Sequence, residues 1–521
     1  MTNNNFLCIL ALVKIKSILL VLILANIIFF SCSKEITVAI IMENNIDQAV
    51  KNNFISNLNK INSTIKIKEP GINKIYNKDI KIYLVSSVSE NRFFLPSFPA
   101  SETEPGNLNQ TMEYRFIIDE KLYAPYTLFY DSALNASYND IIENKYKIKP
   151  LDEIFLPEKA IAIEGLYPDD HNYPLKVKTE AIFVNYKNRS KKSEKIERII
   201  LSLEEIASEN LIQEKITWLS FTGDIMPGRG VSRLLSSDNG LKKVFNDTLE
   251  ILQKSDIAIG NLEGAVTNKS EKLEKSFNFK FDPSVLVYLK EAGFKYLYIT
   301  NNHSFDYGEE GFIDTLLNFK KANIATSGAG ENITEAIAPW QTEINKTKIN
   351  IFSLADYPPE KVFSGRKETE AGEKKPGILW PSNAFFKMLE SISKEETIDI
   401  VCIHGGFEWS NLPAENQVAL YRKLVEYGAD LVIGTHPHVL HPLEVKGTAL
   451  IAYSLGNFIF PGMDEMEYGE ETVILKTGFM GSNLKYINIY PVKISNRQVS
   501  LDKSGEIDQR FYKMNKSWNS K

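Results

Sequence analysis

The sequence predicts an α/β protein whose larger domain is built from layers of sheet and helix. In its second half, apolar runs of strand length alternate with amphipathic helical patterns, which is typical of α/β layers. Polar motifs follow several of these runs, and in such folds ligands bind at the carboxyl ends of the strands. The expected strands are Thr217–Thr222, Ile257–Ile259, Tyr296–Ile299, Ile349–Leu354, Ile398–Ile403 and Leu431–Ile433, and the expected helices are Leu241–Gln253, Val285–Ala292, Phe312–Lys321 and Gln417–Tyr427.

Length and composition narrow the class of protein. A chain of 521 residues is too long for one typical domain, so we expect two folded units and a leader segment. The 43% hydrophobic and 24% charged residues are ordinary for a globular protein. The formal net charge of -6 argues against a nucleic-acid partner, because binding to phosphates usually requires a basic face.

The N-terminal segment has the pattern of a secretory signal. Lys14 and Lys16 precede the apolar run Ile18–Phe30, which is short for a membrane-spanning helix. The Phe-Phe-Ser-Cys sequence that ends at Cys32 resembles the lipobox of bacterial lipoproteins, with Phe29 where leucine is usual. The resemblance implies a lipoprotein-type signal peptide over residues 1–32 and lipidation of Cys32. An uncleaved anchor is the alternative, and both place the body of the protein outside the cytoplasm.

The rest of the chain divides at the charged, helix-prone stretch Lys191–Glu214. We expect an N-terminal mixed α/β domain over residues 33–205, a second domain over 215–495 and a C-terminal tail over 496–521. The segment Lys159–Leu175 weakly resembles a lobe of periplasmic solute-binding proteins. A spacer or a carbohydrate-facing module is the other interpretation of the N-terminal domain. Its expected strands are Ile36–Ile41, Ile80–Val85 and Arg115–Ile118.

Polar motifs at successive strand ends predict the functional site. The chain has 6 histidines, and all except His171 lie in the second domain, within or beside these motifs. A single histidine is usually a surface or core residue, but several at successive strand ends, together with an aspartate and an asparagine, indicate a metal or proton-transfer site. The motifs are Gly223-Asp224-Ile225-Met226, Asn261-Leu262-Glu263, Asn302-His303, His404-Gly405-Gly406 and His436-Pro437-His438.

These residue types suit chemistry at a phosphoryl group. Two divalent cations roughly 3.5–4 Å apart can hold a phosphoryl group and lower the pKa of a bridging water. Carboxylate, amide-oxygen and imidazole donors suit borderline metals such as Mn, Fe or Zn. A further histidine without a metal can protonate the leaving oxygen. The sequence therefore predicts one or two divalent ions with a nearby acid.

The motifs together resemble a known family. Gly-Asp-Ile-Met-x-Gly-Arg, Asn-Leu-Glu-Gly, Asn-Asn-His-x-x-Asp-Tyr-Gly, Gly-x-His-Pro-His-Val and Tyr-Ser-Leu-Gly-Asn-Phe-Ile-Phe occur in order from Phe221 to Phe460. They resemble the motifs of the CapA family, the bacterial capsule-synthesis proteins linked to poly-γ-glutamate, whose domain is related to calcineurin-like metallophosphoesterases. The resemblance implies a calcineurin-like layered α/β/β/α sandwich with a separate N-terminal α/β domain.

The resemblance also implies a role for each motif residue. Metal ligands are expected at two sites that share a bridging group. Either Asn261 or Glu263 stands at the bridging position, and the sequence does not decide between them. The implied ligands are Asp224 and His438 for the first metal, and Asn302, His404 and His436 for the second.

Two further residues are expected to meet the substrate rather than the metal. His303 would act as an acid or a charge stabiliser beside the transferring group. Arg229 would either bind an anionic substrate or pair with a local carboxylate. Met226 stands where many metallophosphatases have the histidine of Asp-x-His, and no Gly-Asp supplies the usual bridging aspartate. These departures leave open one tightly held metal, or two with unequal affinity.

The implied function is that of a lipid-anchored protein of the cell envelope with a metal-dependent phosphoesterase-type site. It would serve capsule or poly-γ-glutamate biosynthesis or anchoring, as a hydrolase or a polymer transferase. The expected partners are a phosphoester or anionic polymer, the membrane through the lipid anchor, and other capsule-synthesis proteins. The alternative is a non-catalytic surface protein that binds or tethers an anionic polymer.

Overall fold

The structure is a computed structural model of the whole chain. It describes residues 36–42, 52, 54–56, 65–68, 80–88, 112–131, 133–137, 140, 145–170, 173, 176–185, 215–359 and 365–520. Cys32, the expected signal peptide, His171 and the stretch Lys191–Glu214 lie outside these ranges. Among the described residues, no helix is long and apolar enough to cross a membrane.

The chain forms two compact units. One contains Met1–Lys121 and Lys176–Ile212, and the other contains Leu122–Leu175 and Gln213–Lys521. The strands of the first part of the chain are β1 (Ile36–Met42), β2 (Ile65–Lys68), β3 (Ile80–Val88), β4 (Met112–Leu128), β5 (Asn135–Ala136), β6 (Lys147–Pro150), β7 (Glu158–Ala160), β8 (Ala162–Ile163) and β9 (Lys176–Asn185).

The strands that follow are β10 (Ile216–Ile225), β11 (Ile257–Leu262), β12 (Ala265–Val266), β13 (Lys280–Phe281), β14 (Phe294–Tyr298), β15 (Ala329–Gly330), β16 (Trp340–Ile344), β17 (Thr347–Asp356), β18 (Gly377–Ile378), β19 (Thr397–Gly405), β20 (Leu431–Thr435), β21 (Leu443–Lys446), β22 (Ala449–Ala452), β23 (Asn457–Ile459), β24 (Glu471–Met480), β25 (Asn483–Ser495) and β26 (Gln498–Leu501). The helices are α1 (Val231–Leu235), α2 (Gly240–Phe245), α3 (Thr248–Gln253), α4 (Val285–Glu291), α5 (Gly308–Ala322), α6 (Ile333–Ile337), α7 (Arg366–Thr369), α8 (Asn383–Ile392), α9 (Glu415–Glu426) and α10 (Glu506–Asn519). A 3-10 turn covers Leu151–Glu153.

The N-terminal unit is organised around a mixed sheet. Strand β1 pairs in parallel with both β2 and β3, and β3 pairs antiparallel with β9. The runs near Ile36, Ile80 and Arg115 that were expected to be strands are β1, β3 and part of β4.

Two sheets form the frame of the second unit. The first sheet has the order β14-β11-β10-β24-β25-β26, with β23 also paired to β10, and the second has the order β16-β17-β19-β20-β22-β21. Strands β10, β11, β14 and β23 of the first sheet are parallel, as are β17, β19, β20 and β22 of the second. Every residue of β19 is buried, as expected for a parallel strand with both faces covered.

Apolar clusters cover both faces of each of these sheets. One contains Phe221 and Ile259 of the first sheet together with Ile400 and Cys402 of the second, so these two faces pack on each other. A second cluster joins the other face of the first sheet to α2, α4 and α5. A third joins the second sheet to α8 and α9. The predicted α/β class is confirmed.

The predicted helix Leu241–Gln253 is two helices instead of one. Helix α2 ends at Phe245 and α3 begins at Thr248. Between them Asn246 has a φ of 44°, a conformation that interrupts a right-handed helix. Its side chain donates a hydrogen bond from Nδ2 to the carbonyl oxygen of Val499 at 3.1 Å, which stabilises the break.

The second unit also contains two segments that we expected, from the sequence, to lie in the N-terminal domain and in the C-terminal tail. Described residues between positions 122 and 175 pack on the first sheet, where the Tyr167 ring lies 4.9 Å from the Trp218 ring and 5.2 Å from the Tyr486 ring. Helix α10, expected to be part of a tail, buries Phe511 in the cluster between the sheets. Trp518 donates a hydrogen bond from Nε1 to Glu444 at 3.0 Å. Contacts over a long sequence distance therefore complete this unit.

Lys159 is a buried lysine within the second unit. It is 1% exposed, and its Nζ donates hydrogen bonds to the carbonyl oxygens of Asp131 and, at 2.6 Å, Ile487. Burial lowers the pKa of Lys159 from 10.5 to about 7, because a charged ammonium loses its hydration there.

Replacement of Lys159 by methionine tests this burial. Between about pH 7 and pH 10.5 the unfolded chain binds more protons at Lys159 than the folded chain does, so wild-type stability rises with pH relative to Lys159→Met, by at most about 1.4 kcal/mol per pH unit. Urea unfolding from pH 6 to 9 measures this difference. Lys348→Met, at an exposed position, should show no such trend, and a pH-independent difference for Lys159→Met would contradict the prediction.

Candidate metal centre

The strand registers of the first sheet bring three polar side chains side by side. Asp224, near the end of β10, lies opposite Asn261 of β11 on one side and Asn457 of β23 on the other. Because these strands are parallel, their carboxyl ends meet at one edge of the sheet. Asp224, Asn261 and Asn457 are all 0% exposed, so their polar atoms must be satisfied within the centre.

The second sheet contributes histidines to the same place. His404 of β19 lies opposite Thr435, the last residue of β20, and His436 and His438 follow directly. The backbone N–H of His436 donates to Asp224 Oδ2 at 3.2 Å. Nδ1 of His404 lies 3.5 Å from Asp224 Oδ1, so the edges of the two sheets meet at Asp224.

The structure brings the implied second-site ligands together. His404 Nε2 lies 3.0 Å from the Asn302 side-chain oxygen and 3.0 Å from His436 Nδ1. Ligand atoms of Asp224, Glu263 and His404 also lie within 4.8 Å of one another, and all three residues are buried. Carboxylate, amide oxygen and imidazole donors thus converge as a metal would require.

Asn261 and Glu263 differ in how their side chains are engaged. Asn261 donates from Nδ2 to Asp224 Oδ1 at 2.8 Å, and its oxygen accepts from Asn301 Nδ2 at 2.9 Å. Glu263 Oε1, by contrast, is buried and has no hydrogen-bond partner in the described part of the chain. It lies 3.8 Å from His303 Nε2 and 3.9 Å from His438 Nε2. Both polar atoms of the Asn261 amide are thus engaged within the centre, whereas Glu263 presents a carboxylate oxygen to His303 and His438.

The electrostatics of the centre fit a bound cation. Burial, followed by the nearby Asp224 and Glu408 carboxylates, raises the pKa of Glu263 well above its usual range. Burial also lowers the pKa of His436 well below its usual value, and His404 and His438 add to the effect. A neutral imidazole keeps a lone pair, and no described residue forms a hydrogen bond with His436 Nε2. Both unpaired atoms would be satisfied by a cation.

Asp224 is the stable anion of the centre. Burial alone would raise the pKa of Asp224, but hydrogen bonds with His404 and His438 hold it below its usual range. His438 Nδ1 lies 3.2 Å from Asp224 Oδ2 and 2.9 Å from the oxygen of Asn457. Because Nδ1 of His438 donates its hydrogen to these acceptors, Nε2 is the ring nitrogen available to bind a ligand.

His303 is held by a chain of buried polar contacts. Its Nδ1 lies 2.7 Å from Asp306 Oδ2, and its ring lies on Phe279 with 4.1 Å between ring centroids. Lys275 Nζ pairs with Asp306 Oδ1 at 2.9 Å, and both side chains are at most 3% exposed. Asp306 therefore orients the ring so that Nε2 faces Glu263.

Arg229 lies at the exposed rim of the centre. Its Nη1 donates to the carbonyl oxygen of Pro461 at 2.6 Å, and its guanidinium lies 5.8 Å from the centroid of Phe279. None of the ion pairs found among the described residues involves Arg229. The described contacts thus leave the guanidinium facing solvent beside the ring that supports His303.

Sequence reasoning did not select Glu408 as a ligand. The exposed carboxylate of Glu408 lies with His436 and His438, with ligand atoms of the three within 4.8 Å of one another. Its only sequence signal was its position four residues after His404 in the same motif. His436, His438 and Trp409 in this region have φ values of 99°, 61° and 63°, which are costly for residues with side chains.

Comparisons with known proteins agree with the motifs. Residues 218–462 match the family model described as "Bacterial capsule synthesis protein PGA_cap". The "PGA biosynthesis protein CapA" of Bacillus subtilis (strain 168) is 34% identical over 249 residues, which are 46% of this chain and 62% of that protein. The resemblance to the CapA family is therefore supported.

Two further relatives extend the comparison. The "Capsule biosynthesis protein CapA" of Bacillus anthracis is 32% identical over 258 residues, covering 47% of this chain and 60% of that protein. A "Probable polyglutamine synthesis accessory protein" of Mycobacterium tuberculosis is 23% identical over 286 residues, covering 51% and 73%. The matched part of this chain thus spans about three fifths of the two CapA relatives' length.

Gly223→Ala tests the close approach on which the centre depends. A Cβ at Gly223 would lie 2.0 Å from the carbonyl oxygen of Gly456, so the strand that carries Asp224 must move away from Asn457. We expect a loss of about 1–3 kcal/mol in stability and a lower content of bound Mn²⁺ after equilibrium dialysis. In Gly372→Ala the nearest atom would be 3.3 Å away, and both properties should be nearly unchanged. Wild-type Mn²⁺ content in Gly223→Ala would contradict the prediction.

Proposed function

We propose that the second unit is a calcineurin-like, metal-dependent phosphoesterase-type domain of α/β/β/α layering. One observation carries the proposal. Two buried atoms that have no hydrogen-bond partner among the described residues, Glu263 Oε1 and His436 Nε2, lie in a centre that also contains Asp224 and His404. Buried polar atoms without partners are costly, and bound divalent cations would satisfy these two.

The ligands fit Mn, Fe or Zn at one or two positions. Asp224, Glu263 and His404 would hold an ion on the buried side of the centre, with the Asn302 oxygen beside His404. His436 and His438 would hold the other ion. When bound, such ions polarise a phosphoryl oxygen and lower the pKa of a bound water. Asn261 has its side-chain oxygen engaged by Asn301 and would act by orienting Asp224.

The chain's own residues would divide the remaining work. His303, with Nδ1 against Asp306, would hold a proton at Nε2 and deliver it to the leaving oxygen. Arg229, exposed at the rim, would bind an anionic group of the substrate. Phe279 supports both, since it contacts the His303 ring and the Arg229 guanidinium.

The setting of the reaction is proposed from the relatives. Two of them are named for capsule or PGA biosynthesis, which supports a role in making or anchoring a capsule polymer at the cell envelope. A lipid anchor at Cys32 would place the domain there. The substrate would be a phosphoester or an anionic polymer, handled by hydrolysis or by polymer transfer, with capsule-synthesis proteins as partners.

His303→Gln tests the acid role. We expect turnover of bis(p-nitrophenyl) phosphate with Mn²⁺ to fall by about 10²–10⁴ while the bound Mn²⁺ is unchanged, because His303 is not among the proposed ligands. Asp306→Asn should lower turnover less, since it weakens only the orientation of the ring.

The control for Asp306→Asn is Asp314→Asn, because the Asp314 carboxylate hydrogen-bonds Thr267 and takes no part in the proposed site. Its turnover should match the wild type. Wild-type turnover in His303→Gln would remove the acid role.

A second candidate is a protein that binds an anionic polymer without rapid chemistry. Two observations favour it: Arg229 is exposed at the rim, and Met226 packs in the apolar cluster on the other face of the first sheet, so it adds no donor to the centre. Retention of poly-γ-glutamate that is lost in Arg229→Gln, by a protein that carries metal but turns over no phosphoester, would favour this candidate over the first.

A further inference from the structure

Glu408 and two histidines form a second group of donors beside the buried one. The group of Asp224, Glu263 and His404 is wholly buried, whereas in the other group the side chains of His436 and His438 are buried and Glu408 is exposed. In both groups the ligand atoms lie within 4.8 Å of one another. The centre therefore has an inner side closed by protein and an outer side that faces solvent.

A buried atom without a partner points to a ligand on the outer side. His436 is 3% exposed, and its Nδ1 is occupied by His404 Nε2 at 3.0 Å. Its other ring nitrogen, Nε2, has no hydrogen-bond partner among the residues that the structure describes. An imidazole nitrogen in this position loses its hydration without compensation, and a cation shared with Glu408 and His438 would restore it.

The loop of Glu408 is fixed against the turn that carries the two histidines. Trp409, the next residue, donates its backbone N–H to the carbonyl oxygen of Pro437 at 2.9 Å. Its ring lies 5.2 Å from that of His438. Gly406 has a φ of 102°, and a Cβ there would lie 2.8 Å from Gln417 Oε1. These contacts of the turn thus hold the exposed carboxylate of Glu408 near His436 and His438.

We propose that Glu408 is a metal ligand on the solvent side of the centre and binds a divalent cation together with His436 and His438. This inference rests on the proposed function only in requiring that the centre holds a cation. One carboxylate and two imidazoles suit Mn, Fe or Zn. Because Glu408 is exposed, the ion on its side exchanges with solvent more readily than an ion on the buried side.

The test is metal content of the full-length chain, which is read without any turnover. Wild type and Glu408→Gln are dialysed against a series of Mn²⁺ concentrations and analysed for bound metal. In Glu408→Gln we expect the affinity for the ion on the Glu408 side to fall by a factor of about ten or more. Even the loss of a residue that only hydrogen-bonds a metal ligand lowers metal affinity roughly 10–100-fold. Glu396 is exposed and lies directly before the first residue of β19, at the end of the strand away from the centre. Glu396→Gln should bind Mn²⁺ like the wild type.

A chelator distinguishes the two sides. With EDTA we expect metal to leave the wild type in a fast and a slow phase, and to leave Glu408→Gln in the slow phase alone. Because Glu408 is exposed, its replacement should leave the melting temperature of the metal-free protein unchanged. Glu408→Gln still has a side-chain amide oxygen at this position, and Glu408→Ala has none. Glu408→Ala should show the same loss of Mn²⁺.

Each outcome bears on a different claim. Equal Mn²⁺ binding in wild type and Glu408→Gln overturns the inference, even if the wild type hydrolyses phosphoesters. Loss of the ion on the Glu408 side in Glu408→Gln supports the inference. If the wild type also hydrolyses no phosphoester, only the proposed phosphoesterase function fails. A wild type that binds no Mn²⁺ overturns both.

Discussion

The carboxylate of Asp224 is the contact on which the second unit's polar centre depends. It accepts hydrogen bonds from Asn261 of the first sheet and from the backbone of His436 beyond the second sheet, and it lies within 3.2 Å of His438 Nδ1. The two sheets pack on each other through apolar side chains, and such packing has no directional preference. The polar contacts of one fully buried anion fix how the two edges meet, and every other donor is placed relative to it.

The sequence predicted the parts of this arrangement that depend on local pattern. Apolar runs followed by polar motifs placed Asp224, His404 and His436 at strand ends, because period and strand polarity decide which end of a strand carries them. The choice between Asn261 and Glu263 could not be made in this way. It depends on Asn301, a residue from another strand end that occupies the Asn261 oxygen.

Features that depend on contacts between distant parts of the chain could not be predicted from the sequence either. Glu408 is an exposed loop residue, and contacts such as the hydrogen bond between Trp409 and Pro437 show that its loop lies against the histidines. The packing of residues 122–175 on the first sheet rests on pairs such as Tyr167 and Tyr486, which no local pattern connects. Propensity and periodicity describe neighbours along the chain, whereas these contacts are settled by tertiary packing.

The long separation of the donors has a consequence for how the protein acquires its metal. Asp224 and His436 are 212 residues apart, so the set of donors exists only after both sheets have formed and docked. A cation that binds this set is a ligand of the native state alone, and at a concentration one hundred times its dissociation constant it would add about 2.7 kcal/mol to folding stability by mass action. The compartment in which the chain completes its folding, and the metals available there, would then decide which ion it carries.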